Sequence, residues 1–383
     1  MPNIPFCRTL FVGHWPTRGY TFVSRHLGVV GCNIGYMKRF LPLLMLIRLI
    51  IIFVFTSWRL NAQMALPTFQ GVQAVVHGLY SFSSHTFTNC DETGRQGPTL
   101  AECKSSYNTT WEDNTEFFNV VTQGVQEWTV PSTGTYRIEA YGAQGGNQDG
   151  AGGKGARMRG DFSLDEGDII FILVGQKGTD SYDRNYSYQG KSSNDGGGGG
   201  GGTFVVKKSG DGVANAQAAD ILVIAGGGGG KTSTYSDDVN DGSTGTDGGD
   251  TYNNGGGTNG GGGDDGQSDG PGAGGGGFLT NGQNSASGTG TNGGKSFLNG
   301  GKGGTATGST YDGGKGGFGG GGGGWHNVLV RSGGGGGYSG GQGGTWADGI
   351  KGGGGGGSIN NGSNQSNSGA AREDHGQVII TKQ

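Results

Sequence analysis

Residues 124–146 read GVQEWTVPSTGTYRIEAYGAQGG, and this stretch decides the fold class. VQEWTV at 125–130 and TYRIEAY at 135–141 have strand composition, and the PSTG between them is a turn signal. Further along, DIIFILV at 168–174 is a continuous apolar run, as expected of a strand buried on both faces. TFVVK at 203–207 and ILVIA at 221–225 are two more strand candidates, each beside a glycine run; DFSL at 161–164 is a marginal one. The last is QVIIT at 377–381. No segment shows sustained helical periodicity. Apolar strands therefore flank a long glycine-rich insert, about 226–375, and the final strand must return to the sheet made by the earlier ones. The expected fold is mainly β, an antiparallel β-sandwich with the insert looping out and back.

The chain has 383 residues, 94 of them glycine, and only 11 of these precede residue 142. Collagen needs a strict Gly-X-Y period and abundant proline. Here the glycines come in runs, at 196–202, 226–230, 319–324 and 352–357, and there are 8 prolines in all, so collagen is excluded. A glycine-rich polar stretch buries too little apolar surface to offset the entropy of ordering it, so composition favours disorder in the insert. The alternative is a bundle of extended three-fold polyglycine helices, packed closely because no side chain keeps the backbones apart, with Phe318, Trp325, Tyr338 and Trp346 flanking the runs. A net charge of −4 and few Arg-Gly dipeptides argue against nucleic acid as a partner.

Residues 40–55, FLPLLMLIRLIIIFVF, follow Met37, Lys38 and Arg39, with small residues near Ala62. This is a signal-peptide pattern, 37–63, or else a signal anchor, since the run is short of the roughly 20 residues of a spanning helix. Membrane contact is expected only through 40–55 if it stays uncleaved. Residues 1–36 read as a possible upstream extension and 64–86 as a linker. The positive flank places the chain beyond about residue 60 on the extracytoplasmic side. In an oxidising compartment Cys90 and Cys103 read as a disulfide closing a small loop. Asn108, Asn185, Asn361 and Asn364 head Asn-X-Ser/Thr sequons, candidates for N-glycosylation.

Several motifs tempt and carry little. ILVIAGGGGGKT at 221–232 fits a relaxed phosphate-loop pattern, but no amphipathic helix follows it and glycine runs satisfy such patterns by composition. Arg159-Gly160-Asp161 would serve as a receptor tripeptide on a loop tip and reads equally as a strand entry. Asp374 and His375 suggest an acid–base pair without a nucleophile. The histidines have no metal spacing, so no catalytic residue, metal or cofactor is expected.

FTNCDETGRQGPTLAEC at 87–103, the stretch 124–146, GDIIFILVGQKG at 167–178, GGGGTFVV at 199–206 and ILVIAGGGGG at 221–230 form an ordered series. It continues with GGFGGGGGGW at 316–325, GGGGGYSGGQGG at 333–344 and HGQVIITK at 375–382. In this order the blocks resemble the glycine-rich ectodomain of the anaplastic lymphoma kinase / leukocyte tyrosine kinase receptors. The resemblance covers 87–383 and implies a TNF-like β-sandwich, with strands at about 125–225 and 376–382 and an ordered insert of packed polyglycine helices. It implies binding of a cytokine-like protein ligand or a glycan. Cys90 and Cys103 match that family's first cysteine pair, whereas the cysteine those receptors carry near Trp325-His326 is absent. Kinase motifs are missing from this sequence, so no catalysis is expected of it. The competing expectation is a secreted adhesive or matrix protein. No ligand-contacting residue is named by either reading.

Overall fold

The computed structural model describes residues 78–147, 152–181, 187–188, 191–192, 196–231, 241–267, 271–286, 290–306, 313–325, 331–345 and 352–383. The proposed signal segment and residues 1–77 lie outside them. In chain order the elements are β1 (Ser84–Phe87), α1 (Leu100–Ser106), β2 (Phe118–Asn119), β3 (Val125–Thr129), β4 (Gly134–Tyr141), β5 (Gly155–Leu164) and β6 (Ile169–Leu173). There follow β7 (Ser187–Tyr188), β8 (Lys191–Ser192), β9 (Thr203–Lys207), β10 (Ile221–Ala225), β11 (Ile359–Asn360), β12 (Ser368–Arg372) and β13 (Gln377–Lys382). They form a five-stranded sheet, β1-β13-β4-β5-β12, and a six-stranded sheet, β11-β10-β9-β6-β3-β2, with β7-β8 as a separate ladder. All pairings are antiparallel. The fold is the expected mainly-β arrangement of two antiparallel sheets.

The two sheets share one core and the six-stranded sheet has a second one behind it. In β4 the alternation is plain: Tyr136, Ile138 and Ala140 are fully buried while their neighbours face outward. They meet Trp128, Ile170, Ile172, Val205, Val223, Val378 and Ile380. In β6 the other register position is buried too. Phe171 and Leu173 point away from that core, to Phe204, Phe278, Phe297 and Phe318. A strand with both faces buried needs no polar residue, which is why its sequence runs IIFIL without alternation. Each such side chain contributes about 1.5–3 kcal/mol on burial.

Phe278, Phe297 and Phe318 belong to the glycine insert. Phe297 stacks on Phe204 of β9 at 5.2 Å between ring centres, and Phe278 on Phe297 at 5.4 Å. These rings anchor the insert to the sheet. The glycine runs are held by backbone hydrogen bonds that follow a period of three. In 196–202, the amides of Gly197 and Gly200 donate to Lys231 and Gly228, those of Gly198 and Gly201 to Thr179 and Gln176, and those of Gly199 and Gly202 to Gly322 and Gly319. The carbonyls of the same run accept from three other segments: Gly146 and Ala143, Gly333 and Gly336, Gly314 and Gly317. Six neighbouring segments thus surround one glycine run, with spacing only a bare backbone permits. A Cβ built on Gly199 would stand 2.0 Å from the Gly334 carbonyl oxygen.

Four sequence expectations are corrected by this arrangement. The disorder that composition favours is absent from the described glycine runs, because neighbouring backbones satisfy one another's polar groups and phenylalanines dock the layer. The 64–86 linker is too long: Tyr80 and Phe82 pack against the core, and β1 begins at Ser84 and pairs with β13. The 226–375 insert is too long as well, since β11 and β12 fall inside it. β11 pairs directly with β10, Val223 opposite Asn360 and Ile224 opposite Ile359, so the ends of the insert are hydrogen-bonded neighbours. Conversely, the glycine layer recruits 142–147, 152–154, 175–179 and 196–202 from the sandwich's own connections. β5 starts at Gly155 rather than Asp161, because Arg157–Arg159 pair along β4 and Gly155 pairs with Arg372 of β12 despite the segment's poor strand composition.

Candidate functional site

Two surfaces carry concentrated polar chemistry. The first is built by the disulfide loop. Cys90 and Cys103 are bonded, with Cα atoms 4.8 Å apart, and both sulfurs are buried. Cys103 sits on α1, whose N-terminus is closed by a capping box: the Thr99 hydroxyl accepts from the Glu102 amide, and the Glu102 carboxylate accepts from the Thr99 amide at 2.6 Å. That bond from Thr99 holds the Glu102 carboxyl below its usual range. The short loop between the cysteines is hydrogen-bonded to the glycine layer. The Arg95 Nε donates to the carbonyls of Gly303 and Gly304 at 2.9 and 3.1 Å, and the Phe318 amide donates to the Gly94 carbonyl at 2.7 Å. The Phe318 ring approaches Gly97 and Gly124 so closely that a Cβ on them would stand 2.5 and 2.1 Å from it.

Where the loop meets the layer there is an open groove of about 470 Å³. Its walls carry Glu92 and Glu102, Arg95 and Lys315, with Gln96 and Gln123 between. The lining comes from the disulfide loop, the approach to β3 and the insert. Such a groove offers both signs of charge and amide donors to a polar ligand and little apolar surface.

The second surface is the outer face of the five-stranded sheet. Strand register puts Tyr141 beside Arg157, Glu139 beside Arg159 and Arg137 beside Asp161. Arg137 grips Asp161 with Nε and one terminal nitrogen at 2.8 and 2.9 Å. Those bonds, with one from Asn364, keep the Asp161 carboxyl below the usual carboxylate range. Glu139 accepts from Arg157 and from the Tyr141 hydroxyl. Burial raises the Tyr141 phenol, and the Arg372 guanidinium lies 5.9 Å from its ring centre.

The candidate residues of the sequence fall on several sites. Asn108 is exposed just past α1. Asn361 donates its side-chain nitrogen to the Ile221 carbonyl at 2.9 Å, and Asn364 donates to Asp161 at 3.1 Å. Asn185 lies outside the described residues. The Arg159-Gly160-Asp161 tripeptide is inside β5, paired on the β4 side and met by Ser363 on the other, so it is no loop tip. The phosphate-loop match is likewise spoken for: the amides of Gly227, Gly228, Gly230 and Lys231 donate to carbonyls of Gly336, Ala143, Gly333 and Gly146. His375 uses its Nδ1 to accept from the Lys177 amide at 3.1 Å, and burial lowers its pKa. Its Nε2 stands 3.6 Å from Asp374, which is a bracing arrangement. Among the described residues no group of three or more metal-ligating side chains converges. No helix among them is long and apolar enough to cross a membrane.

Both surfaces escape sequence reading. The groove joins residues some 200 positions apart, and the arginines of β5 belong to a segment without strand pattern.

No family model matches the chain. A part of it is similar to the leukocyte tyrosine kinase receptor of Mus musculus, 38% identical over 105 residues. That match takes in 25% of this chain and 11% of the receptor, so the chain covers about a tenth of that relative's length. It supports a partial relationship to this receptor type.

Proposed function

We propose that the chain is an extracellular binding module of the receptor-ectodomain type, with a TNF-like sandwich and a layer of packed polyglycine helices. The local similarity to the leukocyte tyrosine kinase receptor carries the reading. The three-residue period of the glycine bonding supports the helices, since an extended helix of three residues per turn returns every third amide to the same neighbour. The buried disulfide suits an oxidising compartment. The groove between disulfide loop and glycine layer is the preferred ligand site, and its partner is a folded, cytokine-like protein presenting a mixed-charge polar patch. The reading includes a signal sequence at 37–63 and sugar at exposed sequons. It assigns no phosphoryl transfer to these residues.

The test is binding of the purified secreted chain to a panel of small secreted cytokine-like proteins. Saturable, micromolar or tighter binding that Lys315→Glu and Arg95→Ala weaken supports the reading. Binding confined to glycans or bare surfaces would move the chain to an adhesive, matrix role.

A further inference from the structure

The outer face of the five-stranded sheet shares no residue with the groove and is unusual for a surface that does nothing. Four arginines stand on it, Arg137, Arg157, Arg159 and Arg372, against two carboxylates, Glu139 and Asp161. Both carboxylates are already engaged, Asp161 by Arg137 and Glu139 by Arg157. Arg372 gives its Nε to the His375 carbonyl and leans over Tyr141, without an acidic partner among the described residues. Arg159 makes neither an ion pair nor a side-chain hydrogen bond among the described residues; its charge only adds to the pull of Arg137 on Asp161. With both carboxylates engaged, Arg159 and Arg372 leave the face with an excess of positive charge that carboxylates of a partner would offset. Half-buried Ile379 and Tyr141 sit among the guanidinium groups. Arginine and tyrosine around an aliphatic centre is the composition of interface hot spots.

Spacing defines what fits. Arg157 and Arg159 leave one face of β5 two residues apart, about 6.4–6.8 Å along the strand. Alternate side chains of an extended peptide have the same spacing, and a carboxylate matches a guanidinium fork.

We propose that this face docks an extended segment of a partner protein bearing carboxylate side chains two residues apart. The inference goes beyond the groove and its ligand. The test is fluorescence anisotropy of the full chain with a labelled peptide alternating glutamate and threonine. Saturable binding is expected, weakening with salt. Arg159→Glu should weaken it at least tenfold, and Arg159→Lys much less. Lys315→Glu, in the groove, should leave it unchanged, so that loss of the groove ligand and loss of this peptide are separable. No saturable binding, equal binding by Arg159→Glu, or Arg159-dependent binding of a sulfated polysaccharide in place of the peptide would each overturn the proposal.

Discussion

Single residues in this protein act mostly through what they exclude. At Gly199 the missing Cβ makes room for the Gly334 carbonyl. Gly199→Ala therefore forces two glycine runs apart and should cost at least about 3 kcal/mol, as overpacking with lost backbone bonds does. Gly245 is the control: a Cβ there meets only the Ser243 hydroxyl at 3.4 Å, and no positive φ is required. Gly245→Ala should stay within about 1 kcal/mol of wild type. Thermal or urea unfolding of both variants checks the pair, and similar losses at the two sites would contradict the steric account. His85 excludes a proton. Its ring meets Phe87, Tyr107 and Trp111 edge-on at 4.6–5.0 Å, and burial lowers its pKa to about 4 against a weak opposing pull from Glu112. The unfolded chain takes up the proton near 6.5, so this contribution is complete above that pH. It falls away between 6.5 and 4 and is constant below, by at most about 3 kcal/mol. His85→Phe should flatten the fall in melting temperature over that window, and an unchanged slope would remove His85 from the account.

At the scale of elements, the disulfide loop and the phenylalanines decide whether the glycine layer is attached. Closing a loop of this length contributes roughly 2–4 kcal/mol. Cys90→Ser should lower stability and secretion yield, and should speed amide exchange at Gly303 and Phe318, which the loop touches directly. Wild type secreted with two free thiols would contradict this. Phe318→Ala removes a fully buried ring wedged against Gly97 and Gly124 and should cost about 3–5 kcal/mol. A loss under 1 kcal/mol would mean that the layer stands without its anchors. The elements differ in how readable they are, for a physical reason. β3, β4, β6, β9, β10 and β13 bury large apolar side chains and so betray themselves by pattern. SHTF of β1, GARMR at the start of β5 and SGAAR of β12 are strands because a neighbouring backbone has unpaired groups to fill, and no side-chain pattern records that. Phe278 and Phe297 are single rings in a glycine background, where no periodicity marks them as core. The groove and the arginine face come from tertiary pairing and are invisible for the same reason.

For the whole molecule, the balance between entropy and cohesion is the central matter. Each glycine costs about 1–2 kcal/mol to order, more than other residues, and a backbone hydrogen bond returns about 0.5–1.5 kcal/mol net. A glycine layer alone is therefore near break-even at best. It becomes stable because both its ends are fixed: β10 and β11 are paired where the insert leaves and returns, and the phenylalanine cluster docks its middle to the six-stranded sheet. The sandwich and the layer should then unfold together, and the layer should be rigid in the chain on its own, as the proposed binding role requires. Hydrogen exchange on the intact, ligand-free chain tests this most directly. The account predicts that amides of 197–202, 227–230 and 333–337 exchange as slowly as those of β4 and β6. Exchange of those glycine amides within seconds, with the strands still protected, would contradict it.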